Sequence, residues 1–292
     1  MKYLMALILL ITCDTAPAFA ACMLSEANAP DTGAIVKKQS VSVGVNYGTD
    51  VSFFGRTSQY RYPFLSSDVI YNSKSGLFAY GSLWKVLASE PTIDEFDLGL
   101  GYHYRFSKEF KGDISYTRFF INDESQIIKS SATNDINFKN SYDWKYLKTS
   151  VIADYLFGKS NDFFITINNS KYFESNWSIF DDKDYLTFEP AFTMIFGTQN
   201  FVENYSNNHD FYNPPGHNGP PMHYDPNPPT DASDLNQEFK LLNYSFKLPI
   251  AYNRPHYTLE ASYKYAIPVN VQGALINNHE SFFNLTFYYV FY

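Results

Sequence analysis

Apolar and polar residues alternate along much of this chain with a period of two. In SVSVGVNYGTDVSFF, Val41, Val43, Val45, Tyr47, Val51 and Phe53 share one face, and Ser42, Gly44, Asn46, Gly48, Asp50 and Ser52 share the other. In EFDLGLGYHYRF, Phe96, Leu98, Leu100, Tyr102, Tyr104 and Phe106 alternate with Glu95, Asp97, Gly99, Gly101, His103 and Arg105. KLLNYSFKLPIAY at 240–252 and YTLEASYKYAI at 257–267 follow the same rule. Successive side chains of a strand point to opposite faces, so the pattern predicts strands with one apolar and one polar side.

Strands are predicted near 40–56, 65–72, 76–87, 93–106, 111–121, 143–157, 162–174, 184–197, 200–207, 235–252, 256–269 and 280–292. That is twelve, with ten as the fallback because 200–207 is the weakest. Many exceed the about five or six residues of soluble strands and match the about 9–11 that cross a bilayer. Short links at 72–76, 107–112, 158–162, 197–200 and 253–256 alternate with mostly longer ones at 57–64, 88–92, 122–142, 175–183, 208–234 and 270–279. The pattern predicts an all-β, antiparallel, up-and-down transmembrane barrel with short periplasmic turns and longer extracellular loops. A soluble sandwich also alternates, but strand length and the Tyr and Phe at strand ends favour the membrane, where aromatics form two interfacial girdles.

The stretch FFNLTFYYVFY, 282–292, fits this picture. An open edge in lipid leaves unpaired backbone groups, so the last strand is expected to pair with the first. Tyr288, Val290 and the terminal aromatic Tyr292 resemble the assembly signal of outer-membrane barrels, which makes the barrel assembly machinery an expected partner. At the other end, MKYLMALILLITCDTAPAFA carries Lys2, an apolar stretch and the small-x-small pattern Ala18-Phe19-Ala20. This reads as a signal peptide over 1–20, followed by a periplasmic segment over 21–38 and the barrel over 39–292. Cys13 leaves with the peptide, and Cys22 alone forms no internal disulfide.

Composition narrows the class. The chain has 25 Tyr and 27 Phe among 292 residues, and tyrosine suits apolar–polar boundaries. After residue 20 there is no run of 18 apolar residues, and mean hydropathy is −0.29, which excludes a helical membrane protein. A net charge of −8 without a Lys/Arg cluster speaks against nucleic acid as a partner. The expected surroundings are outer-membrane lipid and lipopolysaccharide.

From Asp50 to Phe120 the chain reads DVSFFGRTS, YPFLSSDVIYNSKSGLFAYGSLWKV, DEFDLGLGYHYRF and GDISYTRFF. This order resembles the TorF-like porins of Gram-negative bacteria, with an early aromatic strand ending in an Arg/Gly turn, here in the order Gly55-Arg56. The resemblance implies a barrel and a transport role, and it carries no catalytic residues.

If the apolar faces meet lipid, Glu95, Asp97, His103, Arg105, Asp113, Asp154, Glu189, Lys247, Glu260 and Lys264 line the interior. They would tune a water-filled passage for small hydrophilic solutes, or form a salt-bridge network in a closed barrel. Their acidic excess predicts a mild cation preference. The Pro-rich segment 208–234 is expected as an extracellular loop, whether as a surface loop or as a lid over the mouth. His209, His217 and His223, with Asp210 and Asp225, could ligate Zn or Cu, although their spacing matches no established site. No cofactor is expected. The acidic patches DDKD, 181–184, and NDE, 122–124, are placed in outer loops. A lipid-modifying enzyme would need a Ser/His pair facing lipid near the outer rim. His103 with Ser115 is the nearest candidate and is expected on the wrong face, so the chain reads as a non-enzyme: a channel, or a closed barrel recognising partners through its loops.

Overall fold

The computed structural model describes residues 39–58, 60–87, 89–123, 125, 132–158, 160–202, 238–272, 275 and 278–292. The signal-peptide, 21–38 and 208–234 assignments lie outside them. The strands are β1 (Ser40–Gly48), β2 (Phe64–Asn72), β3 (Leu77–Val86), β4 (Glu95–Arg105), β5 (Phe110–Ile121), β6 (Ala132–Asp143), β7 (Lys148–Gly158), β8 (Asp162–Ser170), β9 (Phe173–Glu174), β10 (Tyr185–Phe188), β11 (Ala191–Gly197), β12 (Lys240–Asn253), β13 (Tyr257–Pro268) and β14 (Glu280–Phe291).

Neighbours in sequence pair antiparallel around the wall, and the circle closes where β1 meets β14, from Val41↔Phe291 to Gly48↔Asn284. β10 and β11 are two pieces of one wall strand, interrupted at Glu189-Pro190, where proline offers no backbone donor. Counting them as one, and the two-residue β9 as a flap on β10, the barrel has twelve strands.

The total agrees with the alternation, but two members differ. The span 122–142, expected as a loop, contains most of β6, and no strand forms at 200–202, where the Val202 nitrogen turns back to the Gln199 carbonyl at 3.1 Å. The alternation does not mark β6, because its outward positions mix Ile136, Phe138 and Tyr142 with Asn134 and Asn140, which blurs the apolar face. The exchange reverses the sides of the segment between β6 and β12. The links at 159–161 and after Gly197 belong to the end with the long loops, and 171–184, which carries DDKD, belongs to the end with the tight turns. Here Asp184 accepts from the backbone nitrogens of Ile179 (2.7 Å) and Phe180 (2.9 Å), so it shapes its own turn.

Every wall strand presents large apolar side chains outward, among them Val45, Val69, Leu83, Leu100, Ile114, Phe138, Val151, Phe163, Phe188, Phe192, Ile250, Leu259 and Leu285. Exposed apolar patches on soluble monomers reach about 300–600 Å². A belt running round the whole barrel is far larger, and hydrocarbon is the solvent that fits it. No helix among the described residues is long and apolar enough to cross a membrane, and crossing falls to the strands. The alternate positions turn inward and are mostly polar, as in Ser42, Asn46, Asp97, Thr117, Asn137 and Thr193.

Candidate functional site

The β1–β2 loop, 49–63, does not extend β1 as the alternation suggested. It turns into the barrel. At its tip Phe53 and Arg56 exchange backbone hydrogen bonds of 2.7 and 2.8 Å around Phe54 and Gly55. Both central residues are left-handed, with φ of 44° and 76°, so the turn is of the mirror-image hairpin kind. Glycine is required at position 55 on two counts, since a Cβ there would also stand 2.3 Å from Cβ of Asn243. Phe54 bears a conformational cost of about 1–2 kcal/mol. Burial offsets that cost, with the ring stacked on Phe164 at a centroid distance of 3.6 Å and planes 4° apart. Phe53 meets Phe201 edge-on at 4.8 Å. Leu156, Ile195, Val202, Leu242 and Leu275 complete an apolar plug across the loop end.

Leu242 reaches the plug through a β-bulge. Ile195 pairs with Asn243 and Phe196 with Leu241, so Leu242 is the extra residue and turns inward although its neighbours in alternation, Tyr244 and Phe246, face out. The Leu242 carbonyl accepts from the backbone nitrogen of Val269 (2.8 Å) and has a second lone pair to offer. Arg56, fully buried, donates to that oxygen from Nη1 (2.7 Å), to Val269 O (2.8 Å) and Asn270 O (3.1 Å) from Nη2, and to Gln199 Oε1 from Nε (2.9 Å). One side chain thus ties the first loop to the fifth and sixth. Burial pushes its guanidinium down to about 10, so it keeps its charge at neutral pH. The base of the loop is pinned by Asp50, whose carboxylate accepts from the nitrogens of Val51 (2.9 Å) and Tyr62 (2.8 Å); burial pushes this carboxyl up to about 7.

The ten expected interior residues all take inward positions, but they do not form one site. Near the loop end, Glu95 and Asp97 are buried, and Asp97 accepts from Ser82 Oγ (2.6 Å). Asp154 accepts from Asn137 Nδ2 (2.6 Å). On the opposite wall Lys247 and Glu260 pair at 3.5 Å, and Lys264 lies 4.8 Å from the Phe282 ring centroid. Glu189 holds Lys148 at 3.3 Å and accepts from Ser170 Oγ at 2.7 Å. These seven are packed. His103, Asp113 and Arg105 are reached by solvent, as are three basic groups that alternation did not single out: Lys111, Lys139 and Lys148. His103, Asp113 and Lys139 form one cross-strand row, β4 to β6. Lys139 was hidden because β6 was expected as a loop. Below the plug, then, the inward side of the β4–β8 wall is polar and partly reached by solvent toward the turn end, and this side is the chamber wall of the barrel.

The other candidate sites fare differently. Ser115 stands opposite Gly101, and its hydroxyl makes no hydrogen bond; His103 faces inward and stacks on Phe78 at 4.3 Å. This pair forms no activated nucleophile and does not face lipid. His209, His217 and His223 lie outside the described residues, and among the described residues no three or more His, Cys, Asp or Glu side chains gather as a metal site. In the last strand, Tyr288 and Val290 are buried inward, Tyr288 donating to Asp68 Oδ1 at 3.3 Å, while Tyr292 is exposed past the strand end. The lipid-facing residues of this strand are Phe283, Leu285, Phe287, Tyr289 and Phe291.

No family model matches the chain, and no curated protein matches it. Among solved structures it is similar to the KdgM porin (7% identity, TM-score 0.49, covering 86% of this chain and 99% of that one). It is similar to the NanC porin as well (11% identity, TM-score 0.45, covering 85% and 98%). LpxR from Salmonella typhimurium is a third likeness (6% identity, TM-score 0.44, covering 86% and 99%).

Proposed function

We propose that this protein is a porin-like channel of the Gram-negative outer membrane, passing small hydrophilic solutes, with the inward-folded 49–63 loop closing its extracellular mouth. The observation that carries this reading is the polar, solvent-reached chamber of the β4–β8 wall inside a barrel belted by apolar side chains. A barrel serving only as a scaffold has no use for a hydrated, charged wall beneath its plug. The resemblance of residues 50–120 to TorF-like porins supports the same reading. Mostly tight turns at one end and mostly longer loops at the other support a periplasmic position for the turn end. Membrane lipid, lipopolysaccharide and the assembly machinery are its proposed partners.

On the β4–β8 wall the solvent-reached charges are Arg105, Lys111, Lys139 and Lys148, the last paired with the buried Glu189, against Asp113 and Asp143. This balance favours anions, the reverse of what the ten sequence candidates suggested, because most of their acidic members are buried. Planar-bilayer recording of the refolded mature chain is the test. Replacing 50–62 with a short Gly/Ser turn is expected to convert rare, small openings into frequent steps that scale with salt. Silence from that variant, verified as folded, would overturn the channel reading in favour of a closed recognition barrel, the reading that the apolar plug itself favours.

A further inference from the structure

Directly beneath the plug, two carboxylates stand together without a basic partner. Asp135 on β6 and Asp154 on β7 are diagonal neighbours across the pair in which Asn137 faces Asp154 and Asp135 faces Leu156. Asp135 is 0% exposed, and neither of its oxygens accepts a hydrogen bond. Asn137, 1% exposed, gives its amide nitrogen to Asp154 and is left with Oδ1 unpartnered. Among the described residues no lysine or arginine pairs with either carboxylate.

Two adjacent buried carboxylates do not both stay ionised without a counter-charge. Here the surroundings supply oxygens alone: both from Asp135, the amide oxygen of Asn137 and the second oxygen of Asp154. Neither imidazole nor thiol is among them, which disfavours zinc and copper. Calcium takes oxygen ligands in irregular geometry, accepts carboxylates in one- or two-oxygen mode alongside amide carbonyls, and matches two negative charges. We propose that Asp135, Asn137 and Asp154 form a binding site for a hard, oxygen-seeking divalent cation of the calcium class on the inner wall. The site touches the plug. Leu156 is the residue opposite Asp135, and Phe164, stacked on Phe54, is the residue opposite Asp154. A bound cation would fix the β6–β8 wall on which the plug rests. The site does not depend on whether solutes pass.

Terbium is the probe, because it occupies calcium sites and is sensitised by a nearby tyrosine. Tyr80 is such an antenna: its hydroxyl meets Thr117, which lies in register with Asp135. Refolded full-length protein in detergent, excited at tyrosine, is expected to give saturable terbium emission at about one ion per chain, displaced by calcium. Asp135→Asn and Asp154→Asn should each weaken binding at least tenfold, and Asn137→Ala gives a third, uncharged check should either fail to fold. Glu109→Gln, on an exposed turn, should change nothing. Tyr80→Phe should dim the emission while calcium binding by calorimetry persists. An unsaturable signal, or equal binding by Asp135→Asn, overturns the proposal. So does a carboxylic-acid infrared band that persists in calcium and vanishes in Asp135→Asn, which would assign a shared proton instead.

Discussion

The two ends of the barrel interior are built on opposite principles. At the loop end, Phe53, Phe54, Phe164, Phe201 and Leu242 exclude water, and Arg56, buried among them, is bound to four neutral acceptors. At the turn end, Arg105, Lys111, Asp113, Lys139 and Lys148 stand in reach of solvent. Closure is therefore a property of one inserted hairpin and its staple. The wall below keeps the solvent-reached charges that the proposed passage would use. Experiments that damage the staple should erase the difference between the ends, and experiments on the chamber should leave it intact.

The largest effect is expected from Arg56→Met. It leaves Gln199 Oε1 and the Val269 oxygen without the donor that Arg56 supplies, each at a cost of about 1–3 kcal/mol, and strips a second donor from the oxygens of Leu242 and Asn270. Open probability in a planar bilayer should rise at least tenfold, and the 49–63 loop should become sensitive to protease. Arg56→Lys should fall between, because a single ammonium keeps the charge but cannot span the fork of acceptors. A wild-type-like Arg56→Met channel would mean that the plug holds by apolar packing alone.

Phe54→Ala separates those contributions. Truncating a buried phenylalanine costs about 3–5 kcal/mol, and here Phe53 and Phe201 can close part of the gap. Openings should become more frequent than in wild type but rarer than in Arg56→Met. Gly55→Ala should resemble Phe54→Ala in recordings, since the added methyl meets Asn243 and the left-handed backbone disfavours it.

The contrast between the ends was only half legible in the sequence. Alternation placed β4, β12 and β13 within a few residues and told their outward from their inward faces, because lipid and lumen impose opposite demands on successive positions. It ran on falsely through Val51 and Phe53, since a plug and a lipid face both want apolar side chains. Leu242 changes side at a bulge, which leaves no mark in the pattern. Arg56 finds its acceptors 143 to 214 positions away, at separations no local motif encodes. The strand total agrees because β6, absent from the expected set, makes up for the strand expected over 200–207, whose described residues, 200–202, form none.

Asp50 gives the comparison a pH dependence. Its carboxyl is pushed from 3.8 to about 7 in the docked loop. Between those values the docked state holds the extra proton, so docking is favoured most below 3.8 and weakens as pH rises through about 7. Open probability should therefore be higher at about pH 8 than at about pH 5, and Asp50→Asn should flatten the trend while its amide oxygen still receives the Val51 and Tyr62 nitrogens. A channel that closes further with rising pH would exclude this assignment.

The smallest effect belongs to the chamber. Lys139→Glu reverses one charge among several, in a space where salt screens beyond about 8 Å at physiological ionic strength. Reversal potentials in a salt gradient should move a few millivolts toward cations, with no change in how often the channel opens. Glu95→Gln provides the counterpart at the loop end. Glu95 is 2% exposed and sits at the top of β4, out of solvent while the plug is docked. Its neutralisation should leave selectivity unchanged in the intact chain and shift it toward anions only when 50–62 has been replaced. Selectivity that responds to Glu95 in the intact chain would mean that ions already pass the loop end, and the two ends would then be one continuous pore.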